Sequence, residues 1–310
     1  MKLIYYQERK KKIVDDKKIS ADDNKCISIN DFYYIASLDI LVVLRSDICV
    51  EFLKFISRSK LSADSIFNYG FYDLPRSYNK LLCRENRGNI TVFGLSSNKD
   101  IDHWQVVTET RTGYYTMDFQ NQMCHHTDYV RDALIIDNDS FSLFVSGGLD
   151  KFVHLWDLDG LSYKATRSGF NAGINTVVTF LSINYILGVQ CVSFDNKTTL
   201  LAGSFDFQII GWDLTAHIDK PLFRLWGHDD CVLKIVCIGE FGRCISLDAS
   251  GVLNVWDTSK SSATDKNKRL IDSIKYVQDP VDCFDVFVKS HGAFPTLNGI
   301  VVVAQVIIIS

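Results

Sequence analysis

Three tryptophan–aspartate pairs, Trp156-Asp157, Trp212-Asp213 and Trp256-Asp257, mark the second half of the chain. Each closes a short apolar run that follows a turn of small and polar residues: Val145-Ser146-Gly147-Gly148-Leu149-Asp150 leads to the first pair, Ala202-Gly203-Ser204-Phe205-Asp206 to the second, and Ile245-Ser246 through Ser250-Gly251 to the third. β-Branched and aromatic residues on both sides of a Gly/Asp/Ser turn are hairpin chemistry. Trp212 and Trp256 stand 44 positions apart, inside the roughly 40–45-residue period of a four-stranded propeller blade. A blade cannot bury both of its faces alone, so such units must stack. The spacing predicts an all-β β-propeller of four-stranded antiparallel blades.

The same residues resemble the WD-repeat (WD40) family. The resemblance implies a hydrogen-bonded set in each blade: a His before the first strand, a Ser in the second, an Asp in the following turn and a Trp in the third. His126, Ser146, Asp150 and Trp156 match all four, with His125 where Gly is usual. His228, Ser246 and Trp256 match three, and Ser250 stands in place of the turn Asp. In the middle blade Asp206 and Trp212 match, but Ala202 replaces the Ser and Gly169-Phe170 takes the dipeptide position, so that set is expected to be broken. The stretch Pro221 to His228 is loosely similar to large WD-repeat proteins of cilia and the cytoskeleton, an analogy that does not assign a function.

Trp156 and Trp212 are 56 positions apart, longer than one blade. Residues Ile174 to Gly188 are the expected insertion: without these 15 the spacing falls to 41, and Val189 to Phe194 becomes the first strand. A translated intron would account for the segment, and so would an extra strand or short helix over a blade edge. It is shorter than the roughly 18 apolar residues of a membrane span.

The flanks are degenerate. Ile35 to Leu44 and Ile48 to Phe55 read as two strands of one blade. Leu81–Cys83 and Ile90–Gly94 read as a hairpin with Phe93-Gly94 at the Trp-Asp position, Cys83 at the Ser position and Arg87 at the turn Asp, with Val106 and Val107 in its outer strand. After Trp256, Leu270 to Val277 reads as an outer strand, and Cys283 to Val288 with Gly299 to Val306 as the start of a further blade. The organisation expected is a charged, mobile segment 1–26 and a repeat array over 27–310, best marked at 124–260. Five or six blades are expected, and the final apolar run leaves an incomplete ring as one reading.

Composition sets the remaining bounds. With 47% hydrophobic residues the chain can bury a sizeable core. A net charge of −4 supplies no global field for nucleic acid or anionic membrane. The N-terminus lacks a secretory signal pattern, and nine scattered Cys without framework spacing fit reduced thiols in an intracellular, cytoplasmic setting. Oligomeric state is not legible.

No nucleophile elbow, phosphate loop or zincin pattern occurs, and the Asp residues of the repeats occupy structural positions. We expect no catalytic residues, no cofactor and no metal: Cys124-His125-His126 has ligand chemistry but no second pair at metal-site spacing. Protein partners are the expected ligands. The family resemblance places docking on the loops before the first strand and after the second, here Thr127, Tyr129, Leu149, Phe205, Asp229 and Cys231. Leu149 and Phe205 directly precede the turn Asp and serve either as exposed anchors or as packing against neighbouring loops. An enzyme on a propeller, or a peptide- or modification-reading module using Tyr129 and Phe205, are the other readings.

Overall fold

The computed structural model describes residues 27–55, 66–137, 142–181, 198–214, 219–238, 243–258, 269–275, 283–288 and 299–304. Segment 1–26, Val189 to Phe194 and the end of the final apolar run lie outside these residues. The described residues hold strands and no helix, hence none long and apolar enough to cross a membrane. The chain divides into two compact units, Met1–Cys124 and His125–Ser310.

The first unit contains two four-stranded antiparallel sheets. Strands β1 (Ile29–Ile35), β2 (Ile40–Arg45), β3 (Cys49–Phe55) and β4 (Ile66–Asp73) form one, in that order. Strands β5 (Tyr78–Asn86), β6 (Asn89–Ser96), β7 (Ile101–Thr108) and β8 (Tyr115–Met123) form the other. Ile35 to Leu44, expected as one strand, is divided between β1 and β2 by a turn in which Asp39 takes a φ of 56°. The hairpin of Leu81–Cys83 with Ile90–Gly94 is present. Its two-residue turn, Arg87-Gly88, has positive φ at both positions (49° and 83°), the geometry that matches strand twist.

That hairpin joins the first and second strands of its blade, not the second and third as expected. The third strand is β7, so the Trp position belongs to Trp104, not Phe93, and Val106 and Val107 lie in β7 rather than the outer strand. Trp104 is fully buried. Gly94 occupies the place of the second-strand Ser: a Cβ there would come within 2.7 Å of the Tyr78 ring and 2.9 Å of Trp104.

The second unit contains three such sheets and a strand pair. Strands β9 (Val130–Asp137), β10 (Ser142–Gly148), β11 (Val153–Asp157) and β12 (Tyr163–Arg167) form the first. The second consists of β13 (Ile174–Leu181), β14 (Thr198–Ser204), β15 (Ile209–Asp213) and β16 (Phe223–Leu225). The third has β17 (Val232–Ile238), β18 (Arg243–Asp248), β19 (Val252–Asp257) and β20 (Leu270–Lys275), and β21 (Cys283–Val288) pairs with β22 (Gly299–Ala304). The described residues are all-β, and each unit is built of four-stranded antiparallel sheets of the propeller-blade type; no closed ring is seen among them.

Residues 174–181 are not an insertion. They are β13, the first strand of the middle blade, paired along its length with β14. Ile174 and Val177 are buried in the core between the blades. The spacing is consistent in hindsight: Phe170 lies four residues before Ile174, as His126 lies four before Val130 and His228 four before Val232. The excess length of this blade therefore falls between β13 and β14.

First strands of successive blades lie side by side: β1 with β5 in the first unit, and β9, β13 and β17 in series in the second. Polar side chains on these strands reach the next backbone. Asp31 accepts from Leu81 N at 2.9 Å. Asp132 accepts from Val177 N at 2.9 Å and Thr176 Oγ1 at 3.0 Å. Asn175 donates to Val232 O at 3.0 Å. Each bond satisfies a backbone or hydroxyl group that the neighbouring blade removes from water.

Candidate functional site

The first blade of the second unit carries the complete polar set. Trp156 Nε1 donates to Ser146 Oγ at 2.9 Å, Ser146 Oγ lies 2.8 Å from His126 Nε2, and His126 Nδ1 lies 2.8 Å from Asp150 Oδ2. An ionised carboxylate only accepts, so His126 carries its proton on Nδ1 and Nε2 accepts from the Ser146 hydroxyl. Asp150 also accepts from Thr127 N at 3.0 Å and Phe152 N at 3.3 Å. Gly148 is required here: a Cβ would sit 2.7 Å from His126 Nδ1 and 2.8 Å from Asp150 Oδ1.

The third blade carries the same set with a different acid. Trp256 Nε1 donates to Ser246 Oγ at 2.7 Å, and His228 Nε2 lies 2.5 Å from it. His228 Nδ1 meets Asp248, at 2.9 Å, and not Ser250. Asp248 Oδ1 accepts from Ser250 N, Ser250 Oγ and Val252 N. The acid stands two residues nearer the strand, and Ser250 becomes its donor.

In the middle blade aromatic contact replaces the polar set. Phe170 meets Trp212 edge-on at 5.8 Å, close to the 5.9 Å between His228 and Trp256. With Ala202 in the Ser position, Trp212 Nε1 has no hydrogen-bond partner among the described residues, a cost of about 1–3 kcal/mol. Asp206 instead organises its turn, accepting from Asn171 N at 2.8 Å. The β5–β8 blade uses a set that the sequence reading missed: the Tyr78 hydroxyl donates to the fully buried Asp102, Arg76 Nε lies 3.1 Å from the same carboxylate, and Tyr78 packs edge-on against Trp104 at 5.3 Å. Its signal was the Asp102-x-Trp104 spacing, hidden while Phe93 held the Trp position.

Titration of these groups has one sign. Burial favours the neutral form of Asp150, but the imidazoles of His126 and His154 and the Thr127 N–H outweigh it and hold the carboxyl well below the usual range. Asp248 behaves alike: burial raises it, while His228, Val252 N and Ser250 bring it below its ordinary value. Burial pushes His126 below its ordinary 6.5, and Asp150 restores only part of the loss. Unfolded His126 therefore binds a proton that the folded form refuses as pH falls below 6.5. The carboxylate contribution is full above 3.8 and is lost as pH drops toward the folded values. The urea midpoint of the second unit is expected to be lower at pH 5 than at pH 7.5; equal midpoints would contradict a neutral His126.

Tyr129, Leu149 and Phe205 come together on one rim. Leu149 N donates to Tyr129 O at 2.8 Å and Phe205 N donates to Gly173 O at 2.9 Å. A Cβ on Gly173 would lie 2.8 Å from Leu149 Cδ2, so Leu149 rests on the backbone that also holds Phe205. Tyr129 is 44% exposed, while Leu149 and Phe205 are half-buried. Arg131, absent from the sequence reading, lies over the Phe205 ring at 6.0 Å and donates to Asn175 Oδ1 at 3.0 Å. Thr127 is exposed and bound through its N–H to Asp150. Asp229 is exposed, and the half-buried Cys231 accepts from Ala249 N at 2.9 Å. Burial, then Asp230, pushes the Cys231 thiol up.

A second cluster lies beside the first polar set. His154 of β11 is buried, its Nδ1 is 2.8 Å from Thr166 Oγ1, and its Nε2 is 3.8 Å from Asp150 Oδ2. One ring nitrogen each of His126 and His154 and an Asp150 oxygen all lie within 4.8 Å of one another. The His125 ring meets His154 edge-on at 4.7 Å and stacks on Tyr163 at 3.9 Å.

No protein-family model matches the chain. Over 189 residues it is 25% identical to Cilia- and flagella-associated protein 337 B of Tetrahymena thermophila, a match covering 60% of this chain and 12% of that protein. Over 201 residues it is 23% identical to Ribosome biogenesis protein ytm1 of Botryotinia fuckeliana, covering 59% of this chain and 38% of the relative. The chain thus spans well under half the length of either. Among solved structures, the computationally designed Ika8 protein superimposes with a TM-score of 0.54 at 13% identity, over 83% of this chain and 65% of that one. That likeness concerns the fold alone. Together with the two bonded His–Ser–Asp–Trp sets, these similarities are consistent with a WD-repeat propeller.

Proposed function

We propose that the chain is a non-catalytic scaffold of the WD-repeat type that binds other proteins on the rim formed by Tyr129, Leu149, Arg131 and Phe205. The observation that supports this reading is the rim's continuity: an exposed tyrosine, two half-buried apolar side chains and a guanidinium over an aromatic ring are joined through Gly173. Aromatic and arginine side chains beside a polar rim are the composition of interface hot spots. The two relatives are described as cilia- and flagella-associated and as a ribosome biogenesis protein. The first lends support to an intracellular role at a cilium or the cytoskeleton, and the second to an assembly role elsewhere in the cell.

The test is affinity purification with mass spectrometry on the unaltered chain, the Leu149→Ser/Phe205→Ser double variant and Arg131→Glu. Half-burial limits the cost of each serine to about 1–2 kcal/mol, so circular dichroism should remain that of a folded β protein. A partner set lost in both variants is the expected result. A set retained by both folded variants would refute docking on this rim.

A further inference from the structure

We propose that the β9–β12 blade carries a binding site for a divalent cation of the zinc type, ligated by His126 Nδ1, His154 Nε2 and a carboxylate oxygen of Asp150. A His–Asp pair alone would be no more than the blade's structural bond. His154 changes that. It is 4% exposed, and its Nε2 has no hydrogen-bond partner among the described residues. A buried polar nitrogen left in this state is costly. Its other nitrogen is engaged by Thr166. The Thr166 contact allows either tautomer: with Nε2–H, His154 turns its proton to Asp150 across 3.8 Å, and with Nδ1–H donating to Thr166 the Nε2 lone pair is free to bind a cation shared with that carboxylate.

The geometry suits a small one. Zinc–nitrogen and zinc–oxygen bonds of about 2.0–2.1 Å put tetrahedral ligand atoms about 3.3 Å apart. Here His126 Nδ1 is 2.8 Å and His154 Nε2 is 3.8 Å from Asp150 Oδ2, and one ring nitrogen of each histidine and a carboxylate oxygen lie within 4.8 Å of one another, so small side-chain rotations close the set. Imidazole and carboxylate ligands suit zinc, and three protein ligands leave a fourth position, which water or the adjoining His125 would fill. The outer contacts are also in place. Thr166 orients His154, and the Thr127 and Phe152 N–H groups hold the carboxylate. On binding, His126 changes tautomer: its proton leaves Nδ1 and resides on Nε2, where Ser146 Oγ accepts it alongside the Trp156 N–H, and the Ser146 hydroxyl hydrogen rotates off Nε2. No net proton or electron is exchanged.

The chain supplies its own comparison. The residue paired with the second-strand serine position is His154 in this blade, Ile210 in the next and Asn254 in the third. Asn254 donates to Gly227 O at 3.0 Å and leaves the His228–Asp248 pair intact. His154→Asn is therefore a substitution that the same scaffold already accommodates.

The test uses the purified full chain, titrated with Zn2+ by calorimetry and with Co2+ by visible absorption. One equivalent of each is expected to bind, with the visible bands of a tetrahedral Co2+ complex and no thiolate-to-cobalt charge-transfer band. His154→Asn should weaken binding at least about 10–100-fold, the range for losing even an outer-shell partner, while the metal-free variant keeps the far-ultraviolet circular dichroism of a folded β protein. Thr166→Val should weaken it about tenfold. Undiminished binding by His154→Asn, absence of binding by the unaltered chain, or a thiolate band would each overturn the site. The cobalt spectrum decides even if the substitutions unfold the blade.

Discussion

Replacing Trp104 by alanine is expected to destabilise the first unit by about 3–5 kcal/mol, the range for removing a fully buried large aromatic. Trp104 is fully buried in the third strand of its blade and packs edge-on against Tyr78 at 5.3 Å and Phe119 at 6.2 Å. Its Nε1 has no hydrogen-bond partner among the described residues, so packing carries the effect. Trp104→Phe should recover most of the loss, whereas a polar residue of similar size should not. Urea unfolding of the full chain, followed by far-ultraviolet circular dichroism and tryptophan emission, measures both. A loss below about 1 kcal/mol for Trp104→Ala would mean that the core collapses around the gap, and that Trp104 does not hold the blade as Trp156 and Trp256 hold theirs.

Asp248→Ala should cost on the order of 3 kcal/mol, because it strips the acceptor from His228 Nδ1, Ser250 N, Ser250 Oγ and Val252 N inside a buried site. The companion substitution separates two accounts of this blade. With Ser250 at the acid position, Ser250→Asp would complete the polar set and stabilise. In the structure Ser250 Oγ donates to Asp248 at 2.8 Å, so the new carboxylate would face an existing one and should cost about 1–2 kcal/mol. A raised urea midpoint for Ser250→Asp would overturn the assignment of Asp248.

The sequence by itself determined the class of unit and the phase of its best-marked copies. Strand–turn–strand patterning with Trp-Asp at a blade-length interval is a local signal, and local hydrogen bonding realises it: Ser146 and Trp156 lie ten residues apart and directly bonded. The break in the middle set was legible in the same way, since Ala202 offers no hydroxyl to Trp212. Tyr129, Leu149 and Phe205 entered as rim positions only through the family resemblance. Only the tertiary structure decided strand order where no such anchor exists. Leu81–Cys83 and Ile90–Gly94 form a hairpin in either frame; pairing with β7 makes them first and second strands and gives the Trp position to Trp104. Ile174 to Leu181 is apolar on either reading, and it is the burial of Ile174 and Val177 in the core between the blades, with Asp132 bonded to Val177 N, that makes it a strand. The pairings of His228 with Asp248, of Arg131 with Phe205 and of His154 with Asp150 likewise depend on where side chains from separate strands meet. Residue spacing along one strand reports which face a side chain shares; which partner stands opposite depends on how strands and neighbouring blades pack.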